Sequence, residues 1–94
     1  MKTILITGCT DGIGNGLAID ALKKGHRVII IGRNPKKGKR FLQQAEQIDA
    51  KNRAHFFQVD LSLVNENKRI IHKIKTQFKT IDSLILCAQY FNSN

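Results

Sequence analysis

The segment LITGCTDGIGNG, residues 5–16, places four glycines directly behind a short apolar run. Lys2–Thr7 (KTILIT) predicts a short buried strand, and the pattern from Gly12 to Lys24 predicts a helix that ends at Gly25. Glycines between a strand and a helix let the backbone turn sharply and approach a ligand closely. The free N–H groups at the start of such a helix favour an anion. The segment therefore predicts a strand, a turn and a helix arranged around a phosphate group.

Three of the four glycines have separate predicted roles. Gly8 lets the strand turn, Gly12 leaves out a Cβ that would block a diphosphate, and Gly14 lets the helix lie close to the strand. Gly16 has no ligand role that we can assign, and we expect it only to ease helix packing. A glycine-rich turn that serves tight packing alone is the less favoured interpretation, because positions elsewhere in the chain agree with ligand binding.

The remaining chain continues the alternation of strands and helices. Further strands are predicted over Arg27–Ile31, Arg53–Val59 and Ser83–Ala88, with helices from Pro35 to about Lys51 and from Ser62 to about Phe78. The order β-α-β-α-β-α-β predicts an α/β fold with a parallel sheet, strand order 3-2-1-4, and two helices on one face against one on the other. The helix residues expected to face the core are Ile13, Leu17, Ala18, Ala21 and Leu22, then Phe41, Leu42, Ala45 and Ile48, and then Val64, Ile70, Ile71, Ile74 and Phe78.

The composition fits one small domain and restricts its partners. Sixteen basic against seven acidic residues give a net charge of +9, which indicates either a solvated lysine-rich surface or a polyanionic ligand. Nucleic acid is less favoured because a single aromatic, Phe41, follows the basic cluster at 36–40. No membrane span or signal peptide is expected, so the predicted location is cytoplasmic. Cys9 and Cys87 are expected to be inert reduced thiols, and no metal site is predicted.

The stretch TGCTDGIG, residues 7–14, resembles the cofactor signature of the short-chain dehydrogenase/reductase family. The resemblance extends over the whole chain, element by element. It implies a three-layer, Rossmann-type, dinucleotide-binding domain over residues 1–94, truncated relative to the family, with NAD(H) or NADP(H) lying across the carboxyl ends of the strands. The signature residues that it implies for cofactor binding are Gly8, Cys9, Thr10, Asp11, Gly12, Ile13 and Gly14.

The end of the second strand distinguishes the two dinucleotides by charge. NAD binders usually carry a carboxylate there, which accepts a hydrogen bond from the ribose 2′-OH and repels a 2′-phosphate. This chain has Gly32 in that position and Arg33 next, and a guanidinium can pair with a 2′-phosphate and stack on adenine. Asn34 and Lys37 could add contacts, although Asn34 as a plain helix cap is an equal alternative. NADP(H) is therefore predicted over NAD(H).

Two further segments carry the resemblance, with different fidelity. Family members have an aspartate after the third strand that accepts a hydrogen bond from the adenine amino group, and Asp60 and Leu61 match it; Asp60 could also serve the start of the next helix. After the fourth strand the family reads Asn-Asn-Ala-Gly, where this chain has Leu86, Cys87, Ala88 and Gln89. The resemblance places Cys87, Ala88 and Gln89 against the cofactor, yet only Ala88 matches. The adenine half of the predicted site is thus better matched than the nicotinamide half.

The family's catalytic set is not found in the 94 residues. It transfers hydride with a Tyr-x-x-x-Lys motif, in which the lysine lowers the pKa of the tyrosine, whereas here no lysine follows Lys79 and Tyr90 is the single tyrosine. His26, His55 and His72 share no spacing with a nucleophile. No catalytic residue is assigned and no turnover is expected from this chain alone.

The resulting hypothesis is the NADP(H)-binding part of an oxidoreductase that interconverts a carbonyl and an alcohol. The alternative is a non-catalytic nucleotide-binding or regulatory protein that is complete at this length. In either case, the side of the sheet with one helix is expected to need more chain or self-association to cover it.

Overall fold

The computed structural model describes residues 1–7, 12–59, 64–78 and 80–86. Its strands are β1 (Thr3–Thr7), β2 (Arg27–Gly32), β3 (Ala54–Gln58) and β4 (Ser83–Leu86). Its α-helices are α1 (Gly12–Lys23), α2 (Pro35–Gln47) and α3 (Val64–Phe78), and a 3₁₀ turn spans Lys51–Arg53. The strands form one sheet of order β3-β2-β1-β4 with every pair parallel. The predicted α/β class and strand order are confirmed.

β1 is the centre of the sheet and pairs with a strand on each side. Its register runs from Thr3 opposite Arg27 to Thr7 opposite Ile31 in β2, and Thr7 also lies opposite Leu86 in β4. The distant strand β4 is fixed to β1 at its amino end as well, because the Thr3 N–H donates to Asp82 Oδ2 at 2.7 Å and the Asp82 N–H donates to the Thr3 carbonyl at 2.8 Å. The ladder and this pair of bonds hold all four strands in one register.

The helices divide between the two faces as predicted. One core cluster joins α1 and α2 to the sheet through Ile6, Leu22, Ile30, Phe41 and Ala45, all with no exposed area. The other joins α3 to the opposite face through Leu5, Ile29, Ile31, Ile74 and Phe78. Adjacent residues of β1 and β2 therefore enter different cores, which explains why these strands are apolar at nearly every position.

Two residues predicted to face the core are exposed instead. Leu17 in α1 is 44% exposed and Ile71 in α3 is 46% exposed. Ile13 and Val64 lie outside the residues whose burial is described; over 14–23 of α1 the buried residues are Gly14, Ala18 and Leu22, and over 68–78 of α3 they are Ile70, Ile74 and Phe78, so each helix meets the sheet along an i, i+4 row. Leu17 and Ile71 lie one position away from these rows, which turns them about 100° around the helix axis. The apolar pattern was wider than the surface that the sheet covers.

The end of α2 also differs from the prediction. The helix stops at Gln47 instead of about Lys51 because Asp49 adopts a left-handed conformation with φ of 61°. This reversal lets the N–H of the buried Ala50 donate to the Ala45 carbonyl at 2.8 Å. The predicted end of α1 is closer to the structure, since Gly25 follows it in a left-handed conformation with φ of 90°.

Arg53 precedes β3 instead of beginning it, and its side chain closes the end of α1. Its Nη2 donates to the Leu22 carbonyl at 2.8 Å and its Nε donates to the His26 carbonyl at 3.3 Å. The Leu22 carbonyl also accepts from the Gly25 N–H at 3.0 Å, so the arginine adds a second donor to a carbonyl in the last turn of the helix. The bond to His26 links the turn before β2 to the start of β3.

Three observations complete the comparison with the sequence. A Cβ added at the exposed Gly16 would meet nothing within 4 Å, so the expectation that this glycine eases helix packing is wrong.

On the α3 side of the sheet Leu84 in β4 is 58% exposed; it lies opposite the core residue Leu5. No helix in the part of the chain that the structure describes is long and apolar enough to cross a membrane.

The contrast between Leu22 and Leu17 gives a stability test on one helix. Leu22→Ala should lower the free energy of unfolding by about 2–5 kcal/mol, because it leaves a cavity at a fully buried site. Leu17→Ala, the matched control, should change it by less than about 1 kcal/mol. Urea denaturation followed by circular dichroism measures both, and equal losses would contradict the burial described here.

Candidate functional site

The strand register brings the predicted site segments to one edge of the sheet. Thr7, Ile31 and Leu86 lie level across β1, β2 and β4, and Ile31 lies level with Phe57 in β3. Within three residues of this level, every strand is followed by a segment that the sequence assigned to a cofactor. The first residues of those segments are Gly8, Arg33, Asp60 and Cys87. Four stretches that are far apart in the chain thus follow neighbouring carboxyl ends, the usual position of ligand sites in open parallel sheets.

Several predicted residues fall outside the described ranges. These are Gly8, Cys9, Thr10 and Asp11 after β1, Asp60 and Leu61 after β3, and Cys87, Ala88 and Gln89 after β4. Their contacts with a cofactor remain predictions. The structure does describe the backbone of Gly12 and Ile13, which form the first turn of α1 as the sequence predicts.

The first turns of α1 are attached to both the sheet and α2. Gly14 is buried at the head of the row that continues through Ala18 and Leu22 to the core. Asn15 donates from Nδ2 to Gln44 Oε1 of α2 at 2.7 Å, while Asn15 Oδ1 is buried and has no hydrogen-bond partner among the described residues. The sequence analysis did not identify Asn15, since a bond between residues 29 positions apart leaves no local signal. Helices α1 and α2 therefore meet through a polar contact close to the glycine turn.

The connection between β2 and α2 is a cationic corner. Arg33 is exposed, and five of the eight residues from Arg33 to Arg40 are lysine or arginine while none is acidic. Gly32 is buried, and its carbonyl accepts a hydrogen bond from the Val59 N–H at 2.9 Å, which continues the pairing of β2 with β3. An exposed guanidinium beside a position without a carboxylate favours an anionic group. This corner fits a phosphate, because none of residues 33–40 carries a carboxylate that would repel the phosphate oxygens.

Asn34 serves as the cap of α2. Its Oδ1 accepts hydrogen bonds from the Lys36 N–H at 2.9 Å and the Lys37 N–H at 3.4 Å, and Pro35 occupies the first turn. Of the two interpretations left open by the sequence, the cap is the one that the structure describes. Because the side-chain oxygen already has these donors, any contact of Asn34 with a ligand would have to come from its other groups.

A groove of about 420 Å³ lies between the end of β3 and α3. Its wall includes Val59 and Ile70, and its rim includes Arg69 and Lys73. Lys73 Nζ lies 5.5 Å from the ring centre of Phe57, another lining residue. The combination of apolar groups, polar groups and cations at the rim suits an aromatic ring with an anionic group beside it. The sequence analysis missed this groove because its two walls come from separate elements, although it ends at Val59, next to Asp60.

The three histidines lie apart from one another. His26 Nδ1 accepts from the Lys2 N–H at 3.2 Å in the turn before β2, and His72 is exposed on α3. His55 lies near the start of β3, with its ring centre 4.8 Å from that of Phe78. Burial, with a smaller effect from the Arg27 guanidinium, lowers the pKa of His55 below its usual 6.5. Within the described ranges no three His, Cys, Asp or Glu side chains come together to hold a metal.

Comparison with known proteins gives one family. A family model described as short chain dehydrogenase matches residues 2–93. A 3beta-hydroxysteroid dehydrogenase of Mediterraneibacter gnavus is 32% identical over 81 residues, which are 86% of this chain and 29% of that protein. The chain therefore spans less than a third of the length of this relative.

Solved structures agree in fold. A short chain dehydrogenase from Bacillus anthracis superposes with a TM-score of 0.79 at 32% identity, over 93% of this chain and 34% of that one. A short-chain dehydrogenase/reductase of unknown function from Caenorhabditis elegans, solved with cofactor, gives a TM-score of 0.79 at 28% identity over 88% and 31% of the two chains.

The lowered pKa of His55 gives a test of pH dependence. The unfolded chain binds more protons than the folded chain as the pH falls through 6.5, so His55 should lower the free energy of unfolding between about pH 7.5 and pH 5.5. His55→Leu should make this decline shallower, whereas His72→Leu, an exposed control, should leave it unchanged. Denaturation at a series of pH values measures the slope, and a slope in His55→Leu as steep as in the wild type would contradict the expectation.

Proposed function

The chain belongs to the short-chain dehydrogenase/reductase family, and from that premise we propose that residues 1–94 bind a nicotinamide dinucleotide, with NADP(H) preferred over NAD(H). The observation that carries the proposal is the cationic corner after β2. Gly32 stands where a carboxylate would hold the ribose 2′-OH, and the exposed Arg33 follows it. Without that carboxylate, an NAD-type ribose loses its acceptor and a 2′-phosphate loses its repulsion. The charge at this corner therefore favours the phosphorylated dinucleotide.

The remaining groups of the site are proposed from their positions at the same edge. The glycine turn from Gly8 to Gly14 would hold the diphosphate through backbone N–H groups at the start of α1. Asp60 and Leu61, which follow the groove residue Val59 in the chain, would hold the adenine. Cys87, Ala88 and Gln89 would lie along the nicotinamide side. The backbone and side chains of this chain thus bind and orient the cofactor.

We propose further that the protein is an oxidoreductase acting on a carbonyl or alcohol. When bound, the cofactor would supply or accept the hydride. The role proposed for these residues is to hold its adenosine half and its diphosphate and to line its nicotinamide side. The relative from Mediterraneibacter gnavus is a hydroxysteroid dehydrogenase, which supports this reaction class. The family's Tyr-x-x-x-Lys pair does not occur among the 94 residues, so we expect binding without turnover from this chain alone. Oxidation of NADPH by the purified 94-residue chain with a carbonyl substrate would contradict that expectation.

Arg33→Ala tests the cofactor preference. Loss of a charge-assisted pair with the 2′-phosphate should weaken NADPH binding by roughly tenfold to a hundredfold. NADH, which has no such phosphate, should lose only the stacking of the guanidinium on adenine and weaken by less than about threefold. Titration of NADPH and NADH against the protein, followed by cofactor fluorescence, gives both dissociation constants.

Arg40→Ala is the matched control, because it removes an equal charge from an exposed position of α2. A general attraction of the basic surface for anions would weaken NADPH binding similarly in both variants. That result, or wild-type binding of NADH as tight as that of NADPH, would overturn the preference for NADP(H).

A further inference from the structure

Gly38 is a point of close approach between α2 and strand β3 of the sheet. It is buried in the second turn of the helix, and a Cβ built on it would overlap Cγ, Cδ2 and Cε2 of the Phe56 ring in β3. The backbone of Gly38 is not in the left-handed region. Among the described glycines, Gly25 alone is in that region. Glycine is also a poor helix former. The reason for glycine at this position is therefore space for the aromatic ring.

The ring that fills this space is held by the sheet. Phe56 lies opposite Ile30 in the β2–β3 ladder, and Ile30 comes two residues before Gly32 in β2. The Phe56 ring packs against the core shared by α1 and α2. The predicted overlap includes Cγ, the ring atom nearest the β3 backbone. Rotation of the ring about its own axis would leave Cγ in place. Only a change of χ1 would move Cγ, and the ring packs against the core, so we expect a side chain at residue 38 to push the helix outward, away from β3.

Gly38 is also bonded to the residue that follows Arg33. Its N–H donates to the Asn34 carbonyl at 3.2 Å and closes the first turn of α2. Asn34 caps the same turn through its side chain, so residues 34–38 form one hydrogen-bonded unit. A displacement of Gly38 is transmitted to Asn34 and from there to Arg33.

We propose that Gly38 and Phe56 are a positioning pair that sets Arg33 and the first turn of α2 at the distance from the sheet that a 2′-phosphate requires. Neither residue touches the cofactor. The pair acts through the backbone of the first turn, and it makes discrimination between 2′-phosphorylated and unphosphorylated adenosine depend on a contact one helical turn away. This inference rests on the proposed preference for NADP(H).

Two small probes isolate the effect: adenosine 2′,5′-bisphosphate and AMP, which differ only in the 2′-phosphate. Gly38→Ala should weaken binding of the bisphosphate by about tenfold and binding of AMP by less than about threefold, because only the phosphate contact depends on the position of Arg33. The double variant Gly38→Ala/Phe56→Val, in which the ring is replaced by a smaller side chain suited to a strand, should recover most of the loss. Calorimetric titration gives the dissociation constants.

Gly16→Ala is the matched control, since it makes the same change in α1 where a Cβ would meet nothing within 4 Å. It should alter neither constant. If Gly38→Ala weakens both probes equally, or if the double variant recovers nothing, the pair only stabilises the fold and the inference is overturned. If the wild type does not distinguish the probes, the proposed function itself fails, which is a different result.

Thermal unfolding establishes whether Gly38→Ala is folded. If it is not, Phe56→Leu tests the inference instead, because a shorter side chain loosens the contact without an overlap. Preferential loss of bisphosphate affinity in Phe56→Leu supports the positioning role, and an unchanged ratio of the two affinities overturns it.

Discussion

The parallel pairing of β1 on both of its edges is the constraint on which the rest of the structure depends. A strand with neighbours on each side and a helix layer above and below is covered on both faces: four of the five residues of β1 are buried, and Leu5 and Ile6 enter separate cores. The same pairing fixes the register of β2 and β4, and through β2 that of β3. Three strand-to-helix connections and the segment after β4 consequently follow the strands at one edge of the sheet. A site made of short segments distant in sequence is possible because that register is fixed.

The elements that the sequence predicted correctly are those whose signal is local. Buried strands are recognisable as apolar runs. Alternation of strands with helices predicts a parallel sheet, because each crossover carries the chain from the carboxyl end of one strand back to the amino end of the next. Leu17 and Ile71 were misplaced because periodicity gives the apolar side of a helix but not how much of that side the sheet covers. The early end of α2 depends on the left-handed Asp49. This conformation is uncommon outside glycine, although aspartate adopts it more often than most residues, and no flanking glycine or proline marks it in the sequence.

The same division holds at the site. The absence of a carboxylate at Gly32 and the positive charge of Arg33 could be interpreted from a few consecutive residues. The structure places that corner where the ladder of β2 ends. Contacts between elements could not be found this way. The Asn15–Gln44 bond, the groove between β3 and α3, and the overlap that excludes a side chain at Gly38 each require knowledge of how two elements approach. Gly38 shows the difficulty well, because a glycine inside a helical pattern reads as a weak position until Phe56 is placed beside it.

The two hydrogen bonds between Thr3 and Asp82 bear on how the chain is made as well as on how it is held. β1, β2 and β3 with α1 and α2 are contiguous in sequence, so they can assemble as the polypeptide leaves the ribosome. β4 arrives only after α3 has been synthesised. Until then the edge of β1 that will receive β4 has unpaired backbone groups, and such an edge can be joined by another chain's strand. We expect the interval between the emergence of β3 and that of β4 to be when a nascent chain most needs a chaperone.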